Sequence, residues 1–272
     1  MIMLPKTFEN EIGKFYTDDK TSSEIADRII NRDLKEMWLG YCEDNQINTN
    51  GNDESIILKF FNECILKYRV CDPACGGGAF LEAAYCVISN FMKTLLSESA
   101  STDGALMDFF NLNILNFCLY GVDIDGDAVR ACIDTLSSHY YNSDVLEGRV
   151  KQGDALFGAC WAAIKKLPEV GDLPANEYNG DPLFELNQNS KPEAVLLFDL
   201  WLYIAVKNQR KETWRDDPVA AISNPLVWSY IIELFKETGK VKIYPTIREH
   251  VQKWAAAESS FHWELEFPEV FH

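Results

Sequence analysis

The residues best suited to chemistry begin with the run DPACGGG at 72–78, in which a carboxylate precedes three consecutive glycines. Because glycine has no Cβ, the backbone N–H groups of such a turn can approach a ligand closely, and the N-terminus of a following helix favours a carboxylate. The apolar run AFLEAAYCVISNFMKTLL at 79–96 predicts that helix. Three glycines can equally do no more than reverse the chain beside a packed helix.

A second run with chemical potential is GVDID at 121–125. Asp123 stands at the predicted end of a strand, where its carboxylate can accept hydrogen bonds from both ribose hydroxyls of an adenosine group. The neighbouring Ile124 can pack on adenine. Asp125 directly precedes a helical pattern, so a helix cap is the stronger interpretation for that residue. The run predicts a nucleoside-binding carboxylate at Asp123.

A third run, QGDAL at 152–156, places Asp154 where it could accept a hydrogen bond from an adenine amino group. Taken alone, Asp154 would be a turn aspartate. Two other nucleotide-binding signatures fit the chain poorly. The dinucleotide fingerprint needs a small residue where Leu81 stands, and the Gly-Lys-Ser/Thr of the phosphate-binding P-loop is absent.

Strands alternating with helices must position these residues. The predicted strands are 70–72, 119–123 and 150–154, and their alternation with helices predicts a mainly parallel sheet with helices on both faces. Before them we predict an amphipathic helix over 19–39 and a second helix over 55–68. The first helix places Ile25, Ile29, Ile30 and Leu34 on one stripe, behind the possible caps Thr21, Ser22 and Ser23. After residue 158 we predict a proline-containing loop and helices near 192–211, 225–238 and 246–258.

Composition restricts the function classes. With 25 Lys and Arg against 42 Asp and Glu, the formal charge is −17, which does not favour binding of nucleic acid by this chain alone. The eight cysteines and four histidines show no zinc-ligand spacing, so we predict no metal site and interpret the cysteines as reduced, buried thiols of a cytoplasmic protein. No uninterrupted apolar stretch reaches about 20 residues, and we predict no membrane association.

Several motifs together resemble one family. KFYT, DPACGGGAFL, GVDID and GDAL occur in the order found in amino-directed DNA methyltransferases. The later FDLWLYIAV, IYPTIREHV and FHWELEFPEVF resemble the large adenine methyltransferases of single-chain restriction–modification and phage-exclusion systems. This resemblance covers nearly the whole chain. It implies an α/β, Rossmann-like S-adenosylmethionine-dependent methyltransferase fold with the cofactor bound across the C-terminal edge of the sheet.

The resemblance also implies a role for each matched residue. Residues at the methionine end of the cofactor would lie in the N-terminal motif and the glycine turn, whereas the adenosine would be held after the second and third strands. The implied cofactor-binding residues are Tyr16, Thr17, Asp72, Ala74, Cys75, Gly76, Gly78, Asp123, Ile124 and Asp154. Gly77 stands where the family usually has serine, which removes one hydroxyl.

The chain departs from the family at the motif that grips the target base. In the family, the WELEFPEVF segment leads into a strand ending in Asn-Pro-Pro-aromatic, which holds the amino group of a flipped adenine and stacks on its ring. That motif does not occur in the 272 residues, so we expect a fold that is incomplete at its C-terminus and no activity from this chain alone. Asn224 before Pro225 is a weak catalytic candidate, since the same pair also suits the start of a helix.

We therefore interpret the chain as the cofactor-binding part of a DNA adenine-N6 methyltransferase. Double-stranded DNA would be a partner only of a complete enzyme. Two alternatives stay open: a non-catalytic scaffold or partner subunit, and a methyltransferase acting on a non-DNA substrate.

An incomplete sheet also predicts self-association, or binding of a C-terminal half, through its exposed end. We divide the chain into an N-terminal helical segment (1–68), a cofactor-binding core (69–157), a helical insertion (158–260) and a lead-in to the catalytic strand (261–272).

Overall fold

The described part of the chain falls into two compact units, the first ending at Gln152 and the second beginning at Gly153. Each unit has a hydrophobic core of its own. Both are described from a computed structural model. The structure describes residues 17–47, 53–98, 104–139, 143–155, 158, 165, 167–168, 190–210, 212–267 and 270.

The first unit is mixed α/β and contains a small parallel sheet. Its strands are β1 (Val70–Asp72), β2 (Leu119–Asp123) and β3 (Val150–Gln152), in the order β1-β2-β3. Its helices are α1 (Asp19–Ala26), α2 (Arg32–Asp44), α3 (Glu54–Glu63), α4 (Ala79–Glu98), α5 (Gly104–Phe117), α6 (Gly126–Ser137) and α7 (Ser143–Glu147). The pairing aligns Asp72 with Gly121 and Asp123 with Gln152. The predicted parallel sheet is confirmed and is consistent with a Rossmann-like fold, although β3 ends at Gln152, two residues earlier than predicted.

The N-terminal helix departs from the predicted stripe. A π-helical segment, Asp27–Asn31, joins α1 to α2. The buried positions recur every fourth residue, at Ser22, Ala26, Ile30, Leu34 and Trp38. The wider π turn keeps this spacing on one face, where a regular helix of 3.6 residues per turn would drift. The prediction was therefore wrong for Ile25 and Ile29, which are 41% and 47% exposed.

The caps of the first unit follow local chemistry. Asp18, rather than the predicted Thr21, Ser22 or Ser23, caps α1 by accepting the backbone N–H of Thr21. The carboxylate of Asp53 caps α3 in the same way. A side-chain oxygen just before the first turn satisfies one of the backbone donors that a helix leaves unpaired there.

The central helix of the first unit is α4. Among the described residues it is long and apolar enough to cross a membrane by length and composition. Glu82 and Lys93 interrupt it, and one face, including Leu81, Ile88 and Met92, is buried in the core. Burial of this kind is what the core helix of a folded domain shows.

The described cysteines form no disulfide bonds with one another. Cys42, Cys75, Cys118 and Cys132 are buried, as predicted, whereas Cys64 and Cys71 are only half-buried. Cys86 is exposed on α4, so the prediction of burial was wrong there, because Cys86 lies on the face of α4 away from the core. Cys160 lies outside the described residues.

The second unit is mainly helical where the structure describes it. Its helices are α8 (Lys191–Gln209), α9 (Pro225–Thr238), α10 (Pro245–Glu258) and the short α11 (Trp263–Glu266). The first three confirm the helices predicted near 192–211, 225–238 and 246–258. Helix α8 is buried on all sides over most of its length, and α10 packs against it. An apolar helix that is buried all round forms the centre of a helical unit.

Candidate functional site

The glycine turn (residues 74–78) follows β1, and backbone hydrogen bonds hold it against β2. The N–H of Ala74 donates to Oδ1 of Asp72 at 3.1 Å. The N–H of Cys75 donates to the carbonyl of Val122 at 2.9 Å. Gly76 and Gly78 have φ values of 51° and 91°, which residues with a side chain rarely adopt. The sequence therefore needs glycine at these two positions for the turn to form.

The carboxylate of Asp123 joins this turn to the end of β2. Its Oδ2 accepts the backbone N–H of Gly76 at 2.9 Å. Its Oδ1 accepts the backbone N–H of Asp125, also at 2.9 Å. A carboxylate has about four acceptor positions, so both oxygens keep capacity for further donors. Asp123 thus combines a structural role with the ability to accept ligand hydroxyls.

Close packing supports the turn from behind. A Cβ on Gly78 would lie 2.9 Å from Sγ of Cys132, and one on Gly121 would lie 3.0 Å from Sγ of Cys75. Thr135 of α6 donates its hydroxyl to the carbonyl of Gly77 at 3.0 Å. A Cβ on Gly77, in contrast, would meet no atom within 4 Å. The turn is therefore fixed on the side of α6 and β2 and open beyond Gly77.

The electrostatics of the turn follow from burial. Burial raises the pKa of Asp72, the charge of Asp123 raises it further, and the N–H of Ala74 opposes both. Hydrogen bonding to Cys132, together with burial, raises the pKa of the Cys75 thiol. A thiol of raised pKa stays protonated near neutral pH and is a poor nucleophile. Cys75 therefore serves in packing and through its backbone.

The junction between β2 and α6 presents Ile124, which is 49% exposed. Asp125 caps α6 by accepting the N–H of Asp127 at 3.1 Å, as its position in the sequence predicted. Sequence reasoning missed Gln152, which donates from Nε2 to the carbonyl of Ile124 at 3.1 Å. No local signal pointed to this contact, because it depends on the register that pairs Gln152 with Asp123.

The structure brings most of the predicted cofactor residues together in the first unit. Asp72, the turn at 74–78, Asp123 and Ile124 share the carboxyl edge of the sheet. Thr17 is exposed just before α1, which packs against α4. Tyr16 lies outside the described residues.

Two predicted residues fall in the second unit. The backbone N–H of Asp154 donates to the carbonyl of Ser259 at 2.9 Å, and Asp154 forms an isolated parallel bridge with Ser260. The role of Asp154 toward adenine stays a prediction. Asn224, the weak catalytic candidate, is exposed and caps α9 by accepting the N–H of Leu226 at 2.9 Å. Asn224 is therefore a helix cap, which is the alternative that the Asn224–Pro225 pair predicted.

The second unit also contains a polar cluster around Asp217. The carboxylate accepts hydrogen bonds from Lys207, from the Tyr203 hydroxyl at 2.7 Å and from the N–H of Val219 at 2.8 Å. His250 contacts the same hydroxyl at 3.0 Å. The cluster borders an open depression of about 460 Å³. Because its donors and acceptors satisfy one another, the cluster anchors the loop after α8 rather than offering a reactive group.

One comparison bears on function. A protein of Methanocaldococcus jannaschii, named a "putative type II restriction enzyme and methyltransferase", is 31% identical over 147 residues, which cover 47% of this chain. The aligned region spans only 12% of that protein. No family model matches the sequence, and no solved structure matches it significantly. The similarity is loose support for a methyltransferase of the restriction–modification type.

Proposed function

We propose that this chain contains the S-adenosylmethionine-binding part of a DNA adenine-N6 methyltransferase of a restriction–modification or phage-defence system. One observation carries the proposal: at the carboxyl edge of the parallel sheet, the carboxylate of Asp123 meets the glycine turn through the N–H of Gly76. Open α/β sheets bind ligands outside the carboxyl ends of their strands. The edge formed by β1 and β2 is such a place.

The chemistry of the residues fits the parts of this cofactor. Each oxygen of Asp123 accepts one backbone N–H and can accept a ribose hydroxyl in addition. Ile124 offers exposed apolar surface to adenine. The open space beyond Gly77 leaves room for the methionine end. When bound, the cofactor supplies an activated methyl group, and these residues bind and orient it.

Asp72 suits the ammonium group of the methionine moiety. Burial and the neighbouring Asp123 raise the pKa of Asp72, so the ionised form is costly in the free protein. A cation beside the carboxylate favours that ionised form. A bound ammonium group would therefore favour the ionised form of Asp72, and the Asp72 carboxylate would in turn attract the ammonium.

The specific reaction that we propose, transfer of the methyl group to N6 of adenine in duplex DNA, has two lines of support. One is the resemblance of the motifs to amino-directed DNA methyltransferases. The other is the similarity to the M. jannaschii protein, of which this chain spans 12%. Duplex DNA would be a partner of the whole enzyme, since the charge of −17 does not favour DNA binding by these residues alone.

Calorimetric titration with S-adenosylmethionine and S-adenosylhomocysteine tests cofactor binding. We expect saturable binding by the wild-type chain and its loss in Asp123→Ala. The matched control is Asp127→Ala, which removes a carboxylate that is 82% exposed and pairs only with Arg130 among the contacts described for it. Binding should be retained in this control.

Folded wild-type protein that binds neither ligand would overturn the cofactor proposal and favour a non-catalytic scaffold. The acceptor is tested separately, by incubating the full-length gene product with duplex DNA and S-adenosylmethionine and analysing the nucleosides. Detection of N6-methyladenine would support methyl transfer to adenine in DNA. Methyl transfer to a protein or small molecule, with no methylated base, would replace it.

A further inference from the structure

The carbonyl of Ile124 lies just outside the hydrogen-bond ladder of α6. The carbonyl of Asp125 already accepts the helical N–H of Val129, whereas Ile124 precedes the cap residue. Backbone carbonyls in such positions need a partner from a side chain or from water. Gln152 provides one, because its Nε2 donates to the Ile124 carbonyl at 3.1 Å.

The sheet places Gln152 where it can hold this junction. Gln152 is the register partner of Asp123, one strand away. Its carboxamide also lies against Gly126, where a Cβ would come within 2.8 Å of Oε1 and 3.2 Å of Cδ. The lack of a side chain at Gly126 therefore leaves the space that the carboxamide occupies. Gln152 contacts the chain on both sides of Asp125.

We propose that Gln152 is a positioning residue for the cofactor site, an inference that rests on the proposed function. Its carboxamide fixes the peptide bond after Ile124. The exposed Ile124 side chain therefore presents its apolar surface to a purine ring in a fixed position. A ligand that stacks on a pre-formed surface loses less conformational freedom than one that must order it. The contribution of Gln152 to affinity is therefore indirect, through Ile124.

The essential feature is the N–H donor, which a series of substitutions can isolate. Gln152→Met keeps a similar length and removes the donor. Gln152→Lys restores a donor on a flexible chain of comparable reach. The matched control is Gln252→Met, at an exposed glutamine on α10 in the second unit.

Two measurements are made on each variant: the calorimetric affinity for S-adenosylhomocysteine, and hydrogen exchange of the backbone amides at 124–129 in ligand-free protein. Gln152→Met should bind about two- to tenfold more weakly, the range expected for one net hydrogen bond. It should also exchange faster at those amides. Gln152→Lys should recover most of the affinity and the protection, and Gln252→Met should match the wild type.

Wild-type affinity in Gln152→Met, or equal weakening in the Met and Lys variants, would overturn the inference and leave the proposed function standing. Unchanged amide exchange in Gln152→Met would also overturn it, because the junction would then not depend on the carboxamide. If folded wild-type protein binds no cofactor, the proposed function falls and the inference falls with it. Ligand-binding and ligand-free readouts thus separate the two failures.

Discussion

The backbone N–H of Gly76 lies 2.9 Å from Oδ2 of Asp123, and this bond joins two segments 47 positions apart. The second oxygen of the same carboxylate accepts the N–H of Asp125 at 2.9 Å. One side chain therefore holds the glycine turn and the start of α6 together. Any ligand that Asp123 binds meets a turn whose position the same residue has already set.

Replacing Asp123 with asparagine should destabilise the first unit even without ligand. One acceptor oxygen becomes an NH2 group that faces a backbone N–H, which leaves a partly buried donor unsatisfied. Such a loss costs about 1–3 kcal/mol. Urea unfolding measures it, with Asp127→Asn as the control at a highly exposed carboxylate. Equal free energies of unfolding for the two variants would contradict a structural role for Asp123.

Local patterns predicted much of the glycine-turn site and two of the helix caps. The strand ending at Asp72, the glycine turn and α4 are consecutive in sequence, and the caps Asp125 and Asn224 depend on the residues just after them. These features arise from backbone conformation and short-range hydrogen bonds, which a sequence displays directly. For the same reason, the strand that ends at Asp123 could be placed before the fold was known.

Features that depend on distant partners escaped prediction. The π turn at Asp27–Asn31 changes which isoleucines are buried, although the local pattern suits a regular helix. Asp154 continues an apparent strand, but its ladder partner is Ser260, more than one hundred positions away. The contact of Gln152 with Ile124 likewise requires the register of two strands. Tertiary packing decides such features, and local sequence does not encode them separately.

The glycines of the turn should respond oppositely to substitution. Gly78→Ala places a Cβ 2.9 Å from Sγ and 3.1 Å from Cα of Cys132, at a φ of 91°. We expect a loss of about 1–3 kcal/mol from this strain and overpacking. Gly77→Ala meets no atom within 4 Å, and it should be neutral or stabilise by up to about 1 kcal/mol through the unfolded chain.

Thermal and urea unfolding of the two alanine variants check this contrast. Gly77→Ser offers a further comparison, since it introduces the hydroxyl found in the resembling family at a position with room for it. Its free energy of unfolding should stay close to that of Gly77→Ala. A large loss in both Gly77 variants would show that the space beyond the turn is not open.

The buried carboxylate of Asp199 should be important for the second unit. It is 4% exposed, accepts the Ser260 hydroxyl at 2.7 Å and contacts Nε2 of His262 at 2.9 Å. Asp199→Ala removes the acceptor of the half-buried Ser260 hydroxyl and of the buried His262 ring, and loss of a buried hydrogen-bond partner typically costs about 1–3 kcal/mol. Urea unfolding should show the loss, whereas Asp216→Asn, at an exposed residue with a φ of 61°, should be nearly neutral.

If Asp199→Ala does not fold, Ser260→Ala provides a milder test, because it removes one hydroxyl donor and leaves the histidine contact in place. We expect a loss of about 1 kcal/mol. Unchanged stability in Ser260→Ala would show that the buried carboxylate does not need that donor.

The ion pair of Asp217 predicts a pH dependence of known sign. Burial raises the pKa of Asp217, but the hydrogen bonds from Lys207 and Tyr203 outweigh burial and hold the pKa below its ordinary value of 3.8. A carboxyl whose pKa is lower in the folded state than in the unfolded state stabilises the protein above the unfolded pKa. That stabilisation is lost as the pH falls through the folded pKa.

Asp217→Asn should therefore cost about 2–3 kcal/mol at neutral pH, since the hydrogen bonds to a charged acceptor become bonds to a neutral one. The difference from the wild type should stay constant down to about pH 5 and shrink as the pH falls through 3.8, where half of the Asp217 carboxyls are protonated in the unfolded chain. Urea unfolding at several pH values measures it, with Asp216→Asn as the control. A difference that grows on acidification would reverse the sign and place the pKa of Asp217 above, not below, its ordinary value.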